Sequence, residues 1–306
     1  MALTINNTTY SGEHAGVYIG AALHASKSMD FLTVIENIKH KKVINTVTES
    51  GLVKAQNCDF TNAGGFSTDE RIIEPKLFQI NTQFCKTTML SDWQAQQMAS
   101  GAWNNGFGTD FNTYLMSRIG EVIAAYIETN IWDGNNGVNP DTFTGFTHAS
   151  GNGTLNSLAP ANGGTGAFTA ATIVASLRGA VDAVPAAIYG QEDLQMYMNT
   201  AAFRMYVQSQ STNGNNWFGM GSMNEAGVYT AYFEGIKIAV CPGLQDDVAV
   251  IAQPKNLYFG TDLVSDQTQI KILDMSELDG SDNIRVVVKF SGATQVGIDT
   301  DVVLYQ

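Results

Sequence analysis

The longest periodic pattern in the chain lies at residues 109–134, TDFNTYLMSRIGEVIAAYIETNIWDG. Phe111, Leu115, Ile119, Val122, Ile123 and Tyr126 recur at three- and four-residue spacing, which puts them on one face of a helix. Thr109 or Asp110 supplies a short side-chain oxygen to cap the first turn. Trp132 closes the run, and Gly134 follows as a residue able to turn left-handed past the end. At roughly 1.5 Å per residue, such a helix is a rod roughly 35 Å long. Two shorter helical patterns follow. One begins at Thr169, with Ile173, Leu177 and Val181 on one face and Pro185 beyond its end. The other is capped by Asn199 and contains Phe203, Tyr206 and Val207.

Elsewhere the period is that of strands. Val43, Thr46 to Thr48 and Leu52-Val53 read as extended, and Ile72 to Asn81 returns in the same style, with Ile80, Thr82 and Phe84 alternating. The polar, glycine-bearing segment 57–71 lies between them. Together they predict a two-stranded excursion over 43–92 with its tip near 57–68. A lone ribbon is marginal in water, and its edges carry unpaired N–H and C=O groups. Nothing nearby in sequence covers it, so a second copy of the chain is expected to. AAIYG (186–190), LQMYM (194–198) and VAVIA (248–252) read as short strands. VYTAYF (228–233) and IKIAV (236–240) form a hairpin around Glu234-Gly235. Residues 211–227 read as a glycine- and asparagine-rich loop, and Pro254 predicts a short helix through Tyr258. In 282–290, Ile284, Val286, Val288 and Phe290 face one way while Arg285 and Lys289 face the other. The chain ends as a strand, VGIDTDVVLYQ.

Composition narrows the function classes. The 306 residues are 44% hydrophobic and only 15% charged, the profile of a β- and turn-rich protein with a weakly charged surface. Such a surface fits coverage by other subunits. A net charge of −13 disfavours gripping nucleic acid, while leaving room for a wall that encloses it. Cys58, Cys85 and Cys241 have no metal-ligand spacing and read as reduced, mostly buried thiols. The N-terminus lacks the pattern of a signal peptide, and no stretch approaches a membrane span. Lys39 to Lys42 reads as a solvated basic cluster.

Candidate chemistry is sparse. There is no GxxxxGK[ST], HExxH, GxSxG or dinucleotide fingerprint, and His14, His24, His40 and His148 have no partner at ligand spacing. DGNNGVNPD (133–141) resembles a calcium loop but lacks its sixth-position glycine and twelfth-position glutamate, so it reads as a turn. No catalytic, cofactor or metal residue is assigned, and the chain reads as structural, not as an enzyme. Glu128 sits in the last turns of the long helix, where negative charge opposes the macrodipole. A cation, supplied by another chain, is expected beside it.

The order of elements, with several local segments, resembles the major capsid protein of tailed bacteriophages, the Hong Kong 97 fold. LFQINTQFCKTTMLSDWQAQQMASG (77–101) is similar to the returning hairpin strand and the entry to that family's long helix. AVDAVPAAIYGQEDLQMYMN (180–199) is similar to a helix, proline and strand of its axial domain, and YFEGIKIAVCPGL (232–244) to its glycine-centred hairpin. The resemblance implies an α+β fold: an N-terminal arm (1–42), an extended β-hairpin or E-loop (43–92), a peripheral P domain (93–150) with its spine helix near 109–132, a mixed α/β axial A domain (151–262), and strands returning to the P domain (263–306). It implies hexamers and pentamers closing an icosahedral virion shell around double-stranded DNA, assembled in the bacterial cytoplasm. A short arm implies a separate scaffolding protein, joined by a portal and decoration proteins. Candidate inter-subunit contacts are Lys54, Asp59, Phe60, Phe66, Arg71 and Glu128. Some members crosslink a lysine to an asparagine; nothing identifies such a pair here. The alternatives are an encapsulin-like nanocompartment, a phage tail or surface binding protein, and a hydrolase.

Overall fold

A computed structural model describes residues 27–56, 58, 62–85, 109–148, 155–158, 167–212, 220–223, 229–262, 270–275 and 280–306. Its strands are β1 (Thr33–Ile35), β2 (Lys42–Ser50), β3 (Gly65–Ile73), β4 (Lys76–Cys85), β5 (Asn156–Leu158), β6 (Gln195–Met198), β7 (Met220–Met223), β8 (Tyr229–Phe233), β9 (Ile236–Val240), β10 (Ala249–Ala252), β11 (Leu257–Gly260), β12 (Ile270–Asp274), β13 (Asn283–Val296) and β14 (Val303–Tyr305). The helices are α1 (Thr109–Asp133), α2 (Ile173–Asp182) and α3 (Thr200–Thr212). Among the described residues the chain divides into two compact units. One draws on Leu77–Tyr126 and Leu263–Ser291, the other on Ser26–Lys76, Ile127–Asp262 and Gly292–Gln306.

The second unit is built on a mixed sheet ordered β5-β14-β10-β6-β9-β8-β7. At its centre β10 is apolar at every position and β6 at all but Gln195, because both faces are covered. Ala249, Val250, Ile251 and Ala252 of β10 are all buried, as are Met196, Tyr197 and Met198 of β6. On one face, Ile173, Leu177 and Val181 of α2 and Ala202 and Tyr206 of α3 pack against Met196, Met198, Ile251 and Val303. Asn199 caps α3 as its sequence position predicts, its Oδ1 accepting from the Ala201 N–H at 3.1 Å. Glu234 (φ 46°) and Gly235 (φ 86°) make the tight turn between β8 and β9.

Four elements differ from their sequence patterns. AAIYG is a turn, since the Ile188 and Tyr189 N–H groups donate back to the Pro185 carbonyl and have none left for a ladder. The helix at Pro254 is a single 3-10 turn, Pro254–Asn256, and Tyr258 lies in β11. The loop 211–227 contains β7, paired with β8. The C-terminal strand is interrupted by a 3-10 turn at Asp299–Asp301 before β14.

The last turns of α1 also belong to this unit. Ile127, Ile131 and Trp132 are buried, and the Trp132 ring packs 5.2 Å from Tyr197 and 5.5 Å from Phe146. From residue 118 on, Ile119, Ile123, Ile127 and Ile131 carry the buried stripe at four-residue spacing, while Val122 is 44% exposed; the side chains of Phe111 and Leu115 lie outside those described. Gly134 is not left-handed. It is glycine because a Cβ there would meet the Phe143 carbonyl oxygen at 2.1 Å. The loop that follows reads as turns, as expected. It nevertheless holds a cation, for the Lys76 ammonium donates to Asn136 Oδ1 (2.6 Å), to the Thr142 carbonyl (3.2 Å) and to the Pro140 carbonyl. His148 lies 3.1 Å from Asp133, a structural contact.

In the first unit, residues 284–288 of β13 pair antiparallel with β12, and β4 also pairs with β13. The alternation holds: Ile284, Val286, Val288 and Phe290 are buried, Arg285 and Lys289 exposed. Phe290 stacks on Phe78 at 5.4 Å, and Tyr126 of α1 meets both rings at 5.8 Å. Such a trio adds roughly 0.5–1.5 kcal/mol per ring pair beyond its buried area.

The three cysteines remain thiols, but only Cys241 is buried; Cys58 is exposed. Burial pushes the Cys241 thiol up to about 12, with the Ser28 hydrogen bond opposing and the Glu128 charge adding to the rise. Folding thus holds the proton, so this group's stabilising effect is full below the ordinary thiol pKa and fades as pH rises through it toward 12. In the native subunit at pH 8, a thiol reagent is expected to label Cys58 and to reach Cys241 only on unfolding. Mass mapping of labelled peptides checks this; rapid native labelling of Cys241 would contradict the burial argument.

Candidate assembly interface

β2 and β3 form a ribbon that pairs with no other strand among those described. Its register runs from Lys42↔Ile73 to Ser50↔Gly65. Alternation assigns two faces. Val43↔Ile72, Asn45↔Glu70, Val47↔Thr68 and Glu49↔Phe66 line one; Lys42↔Ile73, Ile44↔Arg71, Thr46↔Asp69 and Thr48↔Ser67 line the other. The first face leaves apolar side chains in water: Val43 is 46% exposed, Val47 61%, Phe66 67% and Ile72 52%. Val53, beyond the end of β2, is 96% exposed. An exposed apolar stripe of this kind is a candidate docking surface.

The base of the ribbon is anchored on its other face. Ile73 is buried with Ile38 and Ala293, and Ile35, Ile44 and Tyr258 pack around them. Arg71 forms a partly buried ion pair with Asp299. Lys41 reaches Glu74 at 2.9 Å, but both are about half exposed, so that pair contributes little. Lys76, just past the ribbon, is the residue held by the 135–142 loop.

The sequence candidates separate. Phe66 is exposed on the apolar face, and Lys54 is exposed beyond β2. Arg71 lies at the base, paired within its own chain. Asp59 and Phe60 lie outside the described residues. The expected ribbon also shrinks: β4, read as part of the excursion, pairs with β13 instead, leaving a ladder of 42–73 that joins β3 at Gly65, inside the segment read as the tip. Val43, Val47 and Ile72 read in the sequence as strand residues, not as contacts. Their signal is spacing by even numbers of residues in a polar stretch, which says "strand" but not "exposed".

Glu128 departs most from expectation. No cation is paired with it among the described residues. Its carboxylate is 0% exposed and accepts from the Ser28 backbone N–H (3.0 Å), the Ser28 hydroxyl (2.6 Å) and the Gly243 N–H (3.3 Å). Trp132 Nε1–H in turn donates to the Ser28 hydroxyl oxygen at 2.6 Å. Glu128 is thus enclosed by its own chain and presents no surface to a neighbour. It ties the segment at Ser28 and the turn at Gly243 to α1.

Among the described residues, no group of three or more His, Cys, Asp or Glu side chains could hold a metal ion. No helix among them is long and apolar enough to cross a membrane.

No family model and no curated protein matches the chain. Solved structures do. The capsid of an empty GTA particle matches with a TM-score of 0.64 at 14% identity, over 94% of this chain and 98% of that one. Gordonia phage Cozz matches at 0.63 and 11% identity, over 97% and 91% of the two chains. The cyanophage A-1(L) capsid matches at 0.62 and 12%, over 95% and 94%. At such identities the likeness is one of fold, and it extends over nearly the whole length of both partners. The chain has the fold of the major capsid proteins of tailed phages.

Proposed function

We propose that this chain is a major capsid protein, a non-enzymatic subunit that assembles into hexamers and pentamers of an icosahedral head enclosing double-stranded DNA. The observation that carries the reading is the exposed apolar face of the β2–β3 ribbon, on a chain with a capsid fold. Completing the burial of Val43, Val47, Phe66 and Ile72 is worth roughly 1 kcal/mol each. That is modest for one contact and large when repeated around closed rings of heterologous interfaces.

In Hong Kong 97 terms, the ribbon is the E-loop, lying over an adjacent subunit. α1 is the spine of the P domain, and 151–262 is the A domain, with 211–227 near the capsomer centre. Strands β12 and β13 return to the P domain, whereas β14 pairs with β5 and β10 and belongs with the A domain. A separate scaffolding protein, a portal and decoration proteins complete the particle, which is built in the host cytoplasm. The low charge of the chain and its net −13 suit a wall that holds DNA without binding it tightly.

Electron microscopy of the protein co-expressed with its neighbouring genes tests this. Icosahedral shells, or rings of six and five, are expected. A monodisperse monomer under those conditions would overturn the reading.

A further inference from the structure

The outward face of the β4–β13 sheet forms an open groove of about 840 Å³, bordered by Gln79, Asn81, Gln83, Arg285, Val287 and Lys289. Among the described residues its lining holds two cations and no carboxylate, in a chain with 29 acidic and 16 basic residues. Arg285 Nε donates to Gln83 at 2.8 Å, which steadies the guanidinium and leaves other donors for a partner. Arg285 and Lys289 stand four residues apart on one strand, roughly 13 Å, with Val287 between them.

The ribbon's apolar face carries the complement. Glu49 and Glu70 are both exposed on it. Glu70 is opposite Asn45, so the two carboxylates are also four strand positions apart, roughly 13 Å, with Val47 and Thr68 between. Charge, spacing and the central valine all match. We infer that the groove at Arg285 and Lys289 receives the β2–β3 ribbon of a second copy, with Glu49 and Glu70 facing the two cations and Val47 meeting Val287. The inference rests on the capsid reading and names the surface on which the ribbon docks. A nucleic-acid occupant is less favoured, since two cations spaced for two carboxylates make a poor phosphate track.

Charge reversal tests the pairing in the full chain, co-expressed with its neighbouring genes. Arg285→Glu with Lys289→Glu is expected to cut shell yield at least about ten-fold. Glu49→Lys with Glu70→Lys should do the same. All four substitutions together should restore most of the yield. All the sites are exposed, so each soluble subunit is expected to keep its circular dichroism spectrum; milder Arg285→Gln and Lys289→Gln variants serve if a reversal aggregates. Wild-type yield from either reversal overturns the pairing. So does loss without rescue, which points to a different anionic partner. Particles formed at full yield that retain less DNA assign the groove to nucleic acid. A wild type that forms no shells fails the capsid reading itself, whereas wild-type shells with indifferent variants fail the pairing alone.

Discussion

A Val47→Asp, Phe66→Asp variant is expected to purify as a folded subunit and to form almost no shells. Both side chains are more than 60% exposed, and neither belongs to a core cluster. Surface replacements of this kind usually change subunit stability by no more than about 0.5 kcal/mol. At an interface the same change removes two apolar contacts and asks two carboxylates to leave water, each at a cost of a few kcal/mol. Since 1.4 kcal/mol is tenfold in an equilibrium constant, particle yield should fall by a factor of a hundred or more on the order-of-magnitude scale. Sedimentation and negative-stain microscopy would read the yield, and thermal melting the fold. Shells at normal yield would show that this face covers nothing.

The second large effect concerns the subunit alone. Glu128→Ala is expected to destabilise it by about 3–5 kcal/mol, because the Ser28 N–H, the Ser28 hydroxyl and the Gly243 N–H all lose their acceptor in a place water does not reach. In a chain of this size that corresponds to a melting temperature lower by on the order of 10 °C. Ser28→Ala should cost less, about 1–2 kcal/mol, since the backbone N–H keeps its bond. Gly243→Ala probes the same junction from the other side, for a Cβ there would stand 2.1 Å from the Glu128 carbonyl oxygen. Chemical denaturation of the subunit measures all three. A Glu128→Ala loss below about 1 kcal/mol would mean that these donors find other acceptors.

What the sequence made legible was local. The alternation of Ile284, Val286, Val288 and Phe290 names a buried face without any knowledge of its cover. Asn199 and the Glu234-Gly235 pair act through backbone groups within a few residues, so their roles can be read in place. What escaped was pairing. β4 has the same period as the ribbon strands, and period does not name a partner; Phe78 finds Phe290 from more than 200 positions away. Arg71 was singled out for a neighbouring subunit, yet it is engaged by Asp299, 228 residues later. The position of Glu128 in the helix suggests a cation, but it is backbone donors that meet it, and donors 100 residues before and 115 after leave no trace in composition or spacing. The apolar face of the ribbon was hidden for a related reason. Alternating residues look alike whether the face meets a core or open water.

The loop that grips Lys76 differs in kind from one that binds a dissolved ion. Its positive charge arrives on a side chain of the same polypeptide, so it has no dissociation constant and cannot be diluted or chelated away. Chelating or diluting dissolved cations therefore cannot empty this junction. Covalent chemistry does: acetylation of the Lys76 amine would leave Asn136 and the Pro140 and Thr142 carbonyls without their cation. The setting of the loop beside the ribbon would then answer to an acyl donor and not to a chelator.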